Sequence, residues 1–112
     1  MRLEIKKLGR VTVVRSLESR MDAKVAVDFK MEISRIVEDD NRWIVFDVKD
    51  IVFIDSSGLG AIVSSLKMLG DEGDLVIAGA GETVLSLFKL TRMDRVFQMF
   101  PTEKEAVESL AG

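Results

Sequence analysis

The sequence contains no cysteine and no histidine. Their absence removes disulfides, thiolate nucleophiles, Cys/His zinc sites and any Ser-His-Asp or Cys-His catalytic pair. Carboxylates, lysine, arginine and hydroxyls are what remain for chemistry, and no cofactor or metal site is expected. Tyrosine is also missing and tryptophan occurs once, so there is no aromatic platform on which bases would stack. The 16 Lys/Arg and 19 Asp/Glu leave a formal charge of −3 with the basic residues scattered, which gives no footprint for nucleic acid. Long apolar runs are lacking, so no membrane span is expected. The opening Met-Arg-Leu-Glu-Ile-Lys-Lys is too charged and too alternating for a signal peptide. A cytoplasmic address follows. With 47% apolar and 31% charged residues, one ordered domain over 1–112 is expected.

What is present has a clear rhythm. Leu3-Glu4-Ile5-Lys6 alternates, Leu8-Gly9-Arg10 reads as a turn, and Val11-Thr12-Val13-Val14 reads as the return strand of a hairpin. The charged alternation of the first strand suits a sheet edge. Residues 15–22 read as a polar connection ending in Asp22, a helix N-cap. Ala26, Phe29, Ile33, Ile36 and Val37 then fall on one face of a helix over 23–37, although Val25-Ala26-Val27 alone also fits a strand. Residues 43–48 are almost continuously apolar, as in a strand covered on both faces, and 75–80 read the same way. A helix is expected over 82–90, a short strand over 96–100, and a last helix opened by a Thr102…Glu105 capping box. Helices and strands thus alternate after the hairpin. This predicts an α/β sandwich with a mixed central sheet of about five strands and about four helices. The six methionines read as core fillers. No large apolar stripe stands out, so a monomer is expected.

The stretch from Ile51 to Leu69 carries the chemistry. It begins as a buried extended run, breaks at Asp55-Ser56-Ser57-Gly58, and regains helical spacing with Leu59, Ile62, Val63, Leu66 and Leu69. Two hydroxyls are thereby delivered to the first turn of a helix, where unpaired N–H groups and the positive end of the dipole favour an anionic group. Helix capping alone accounts for one such side chain, but here three stand in a row. Gly58 and Gly60 occupy places where a helix prefers Ala, at about 1 kcal/mol each. They thin the surface and let another backbone approach. An enzyme using Ser56 would have only carboxylates or lysine as base, and Gly-x-Ser-x-Gly is absent. Asp47, at a strand end, suggests a receiver-type phosphoacceptor, but the accompanying acidic cluster and downstream Thr/Ser and Lys positions are not evident.

Phe53-Ile54-Asp55-Ser56-Ser57-Gly58-Leu59-Gly60 resembles the phosphorylation motif of bacterial anti-sigma factor antagonists, the small single-domain members of the STAS family. The likeness extends along the chain. Trp43-Ile44-Val45-Phe46-Asp47-Val48 is similar to the family's central strand, and Arg20-Met21-Asp22-Ala23 to its Leu-Asp turn. Leu85, Phe88 and Leu90, followed by Met93 and Val96-Phe97, are similar to its third helix and last strand. Ser19 departs from the glycine that many relatives carry before the Leu-Asp pair.

The resemblance implies a partner switch. The unphosphorylated protein binds an anti-sigma factor that is also a serine kinase, and so frees the sigma factor. Phosphorylation of the first hydroxyl residue after the Asp, here Ser56, releases it, and a metal-dependent serine phosphatase restores it. Asp22, Asp55, Ser57, Gly58, Leu59 and Gly60 match the surface that meets the kinase, with no catalytic role. An alternative that keeps the fold and the switch surface is a STAS module whose partner switch feeds an output other than transcription, such as secretion, motility or a nucleotide cyclase.

Overall fold

The hairpin forms as β1 (Leu3–Leu8) and β2 (Val11–Ser16) in the computed structural model, which describes residues 1–112. There follow β3 (Arg20–Met21), α1 (Ala23–Glu38), β4 (Trp43–Asp47), β5 (Phe53–Ile54) and α2 (Ser56–Leu69). Then come β6 (Asp74–Ala78), α3 (Glu82–Leu90), β7 (Met99–Phe100) and α4 (Glu103–Leu110). The main sheet has the order β1-β2-β4-β6-β7. β1 runs antiparallel to β2, and the other neighbours are parallel, so the sheet is mixed as the sequence predicts. A separate two-stranded ribbon pairs β3 with β5.

Two cores explain why β2, β4 and β6 read as continuous apolar runs. One face of the sheet packs Val14, Ile44, Phe46, Leu75 and Ile77 against Phe29 and Ile33 of α1, Ile62 of α2 and Phe88 of α3. The other face packs Val11, Val13, Val45 and Val76 against Ala106 and Leu110 of α4. Alternate residues of each strand therefore enter opposite cores, and none is left for solvent. The Phe29 and Phe46 rings meet at 4.5 Å, and each buried ring contributes about 1.5–3 kcal/mol. At the far end, the Arg10 guanidinium lies 4.2 Å from the Trp43 ring centre, and its Nε donates to the Leu110 carbonyl at 2.7 Å. This ties the tip of the hairpin to the end of α4.

Several local expectations change. β2 runs on to Ser16, and Arg20–Met21 is a strand rather than loop, because Met21 is buried and finds a parallel partner in Ile54. The last strand is only Met99–Phe100. Phe97 turns into the larger core and makes an edge-on contact with Phe88, with centroids 6.0 Å apart, while the Gln98 carbonyl already accepts from the Ile77 N–H at 3.0 Å. Of the methionines, Met21 is a core residue while Met31 and Met68 are exposed. Thr102 caps α4 by accepting from the Glu105 N–H at 3.2 Å, and the return bond of a full capping box is not made. The ambiguous 25–27 segment is helical because Asp22 accepts from the Val25 N–H at 3.2 Å and starts the helix ahead of it.

Asp47 is a structural group. It ends β4 beneath the first turn of α4, 5% exposed, and its Oδ1 accepts from the Lys49 N–H at 2.9 Å. Burial pushes its carboxyl above the ordinary 3.8, aided by neighbouring Glu103 and opposed by the Lys49 N–H. Burial also works to raise Glu103, but bonds from Lys6 (2.6 Å) and Asp47 outweigh it and hold Glu103 below its ordinary 4.5. The signs are opposite. The Asp47 contribution is fully present below pH 3.8 and is lost as pH rises through its raised value. The Glu103 contribution is present above pH 4.5 and is lost as pH falls through its depressed value. Asp47→Asn keeps the acceptor for Lys49 and a donor for Glu103 without titrating. Thermal melts between about pH 4 and about pH 7 should show this variant gaining stability relative to the wild type as pH rises. A pH-independent difference would contradict the assignment.

Candidate functional site

The β3–β5 ribbon is short, but it places every residue singled out by the motif. Arg20 pairs with Phe53 and Met21 with Ile54 in parallel register. One residue further on, each strand meets the start of a helix. Asp22 caps α1, and Asp55 caps α2 by accepting from the Gly58 N–H at 2.9 Å. Two capped helix N-termini, each carrying an Asp, therefore lie side by side at one end of the molecule. The Asp55 N–H donates to the Met21 carbonyl at 3.2 Å, and the Val52 N–H donates to the Ser19 carbonyl at 2.8 Å, which extends the ribbon at both ends.

Ser56 and Ser57 are the first two residues of α2, and both are exposed. Neither hydroxyl makes a hydrogen bond within the chain, and neither backbone N–H has a partner. Asp55 satisfies the next donor, at Gly58. The first turn of α2 thus presents two free amides and the positive end of a 14-residue helix dipole beside a free hydroxyl. Unpaired amides and the dipole make this a favourable place for an anionic group. Leu59 is half-buried against the larger core, and Ser65 is buried with its Oγ donating to the Ala61 carbonyl at 2.8 Å, away from the turn. Ser56 lines none of the molecule's cavities.

The two glycines of the turn serve different ends. A Cβ on Gly58 would lie 2.3 Å from the Met21 carbonyl oxygen and 3.0 Å from side-chain atoms of Met21 and Ile54. Gly58 is buried, and its bare Cα lets α2 press onto the ribbon. It does not thin an exposed surface. Gly60 is exposed, and a methyl group on its Cα would meet nothing within 4 Å, as expected of a glycine that keeps the surface low.

Sequence reasoning missed the apolar rim of the turn. The run 51–54 reads as uniformly buried, but only Ile51 and Ile54 are. Val52 is 63% exposed and Phe53 39% exposed, with the Arg20 guanidinium 4.3 Å from the Phe53 ring centre. The ribbon has a single packed face because β5 stands outside the main sheet. No local signal separates this run from the equally short Val11–Val14, which is covered on both faces.

The family model of the STAS domain matches residues 2–106. The chain belongs to the STAS family. A Thermotoga neapolitana protein named as an anti-sigma factor antagonist homologue is 31% identical over 70 residues, which are 62% of this chain and 62% of that relative's length. Among solved structures, an anti-sigma factor antagonist of Thermotoga maritima aligns with TM-score 0.88 at 24% identity, covering 98% of this chain and 95% of that one. One from Mycobacterium paratuberculosis aligns with TM-score 0.89 at 22% identity, covering 99% and 94%. The Bacillus cell fate determinant SpoIIAA in its phosphorylated form aligns with TM-score 0.74 at 20% identity, covering 96% and 98%. These likenesses show that the whole chain has the STAS fold. No helix is long and apolar enough to cross a membrane.

The STAS turn makes a paired prediction about its glycines. Gly58→Ala should cost about 1–3 kcal/mol, the usual cost of forcing a methyl into packed backbone. Gly60→Ala should add about 0.5–1 kcal/mol, because alanine loses less freedom in a helix. Urea denaturation measures both. If Gly58→Ala is as stable as the wild type, α2 does not press on Met21 as described.

Proposed function

We propose that this protein is an anti-sigma factor antagonist that works by partner switching. Unphosphorylated, it binds an anti-sigma factor serine kinase and frees the sigma factor. The kinase phosphorylates Ser56 and the complex separates. A metal-dependent serine phosphatase then restores the binding form. The protein acts in the cytoplasm and has no catalysis of its own. The observation that carries this reading is Ser56 itself, a free exposed hydroxyl at a helix start with two unpartnered amides. The names of its relatives support it, as does a phosphorylated neighbour with the same fold.

The same reading gives the remaining residues of the turn their roles. Ser57 and Gly60 form the exposed part of the docking turn, and Leu59 is its half-buried apolar shoulder. Gly58 holds the turn from beneath. Asp22 and Asp55 bring negative charge beside Ser56. A phosphate adds roughly −1.5 to −2 charges and three acceptor oxygens. Within the chain the free amides welcome it. In a docked complex it meets the kinase surface with two carboxylates already near, and misplaced interfacial charge costs on the order of several kcal/mol. The switch therefore acts on association and leaves the fold unchanged.

Incubation with the cell's anti-sigma-type kinases and ATP, followed by mapping of the modified residue, tests the reading. Ser56→Ala should abolish labelling and retain kinase binding. Ser56→Asp should weaken binding by about tenfold or more, or about 1.4 kcal/mol. Amide spectra of the phosphorylated form should change only around the turn. Full labelling of Ser56→Ala would remove the site assignment, and failure of any such kinase to bind the wild type would remove the function.

A further inference from the structure

We propose that the free edge of β1 pairs antiparallel with the same edge of a second copy, centred on Ile5, to give a two-fold homodimer with one continuous ten-stranded sheet. β1 is the outer strand of the sheet and is bonded only to β2. The hairpin turns through Gly9 (φ 62) and Arg10, which has no positive φ, as in the tight turn with glycine at its first central position. In that turn the flanking residues, Leu8 and Val11, form the hydrogen-bonded pair. Lys6 and Glu4 then also face β2, and the Arg2 carbonyl keeps the same phase by accepting from the Leu17 N–H at 3.0 Å. The N–H and C=O groups of Leu3, Ile5 and Lys7 point outward, with no partner in the chain. Ile5 is 46% exposed and Leu8 44% exposed, more than an edge of solvated charge requires.

The order of charges selects the occupant and the register. An isologous antiparallel pair places residues symmetrically about one centre. Centring on Glu4 sets Glu4 against its own copy. Centring on Lys6 or Lys7 sets a lysine against its own copy, and like charges directly opposite are unfavourable. Centring on Leu3 leaves Leu3 opposite its copy as the only bonded pair within the strand. Centring on Ile5 joins Ile5 to Ile5 and each Leu3 to a Lys7 through outward-facing amides, and sets each Glu4 opposite a Lys6. Glu4 has no ion-pair partner in its own chain, and Lys6 uses one contact on Glu103. An ammonium has three donors, so both carboxylates fit on Lys6. β1 supplies no residue to the Ser56 turn, so the pairing is independent of the switch.

Sedimentation of the wild type at up to about 1 mM, the range that reveals weak association, should show a species of twice the 12.5 kDa chain mass. Glu4→Lys should shift it toward monomer. The chain has no cysteine, so a single introduced thiol reports the register. A hydrogen-bonded antiparallel pair has Cα atoms about 5.5 Å apart, within disulfide reach. Ile5→Cys should therefore cross-link with itself under mild oxidation, while Leu3→Cys or Lys7→Cys alone should not. A mixture of Leu3→Cys and Lys7→Cys chains should cross-link with each other. A wild type that stays monomeric, or Ile5→Cys cross-linking no faster than Lys7→Cys, overturns the proposal. A dimer unaffected by Glu4→Lys overturns it as well.

Discussion

The pairing of Met21 with Ile54 is the constraint on which the functional end of the molecule depends. It is only two residues long, yet it aligns the starts of α1 and α2. Each strand runs directly into an Asp that caps its helix, so register in the ribbon becomes register between two helix N-termini. Gly58 completes the arrangement by bringing the first turn of α2 onto the Met21 carbonyl, where no side chain would fit. Ile54 and Met21 are buried under this contact, which anchors a turn whose next residues, Ser56 and Ser57, are exposed.

For the proposed phosphorylation switch, that construction separates two requirements. The acceptor hydroxyl must be accessible to another protein's active site, and the fold must be indifferent to the charge that arrives. Helix N-termini meet the second requirement, since their unpaired amides and dipole favour anions. The first is met because the ribbon stands outside the main sheet and supports α2 from one side only. The same one-sidedness leaves Val52 and Phe53 bare beside the turn, with Arg20 over the Phe53 ring. Apolar and charged features are thus gathered within a few residues of the serine.

Much of this was legible in the chain order. The alternation in β1, the unbroken apolar runs of β4 and β6, and the Asp-Ser-Ser start of α2 each carry a periodicity or a cap that needs no distant partner. Misreadings fall where a distant partner decides. Arg20–Met21 looks like loop until Ile54 is placed beside Met21. Val96 and Phe97 look like strand until Phe97 is placed against Phe88 in the core. The two glycines of the turn look alike until the Met21 carbonyl distinguishes them.

Sequence by itself determined the four helices, the central strands and the hydroxyls that begin α2, because these follow from local conformational preference and from the spacing of apolar side chains. It also excluded every mechanism that needs a thiol or an imidazole. Tertiary structure alone decided that Gly58 is a packing requirement and Gly60 an open surface, that Val52 and Phe53 are exposed, that Asp47 is buried, and that β1 presents a free edge. Each of these depends on contacts between segments far apart in the chain, and the distance between such segments is set by the packed cores rather than by any local pattern.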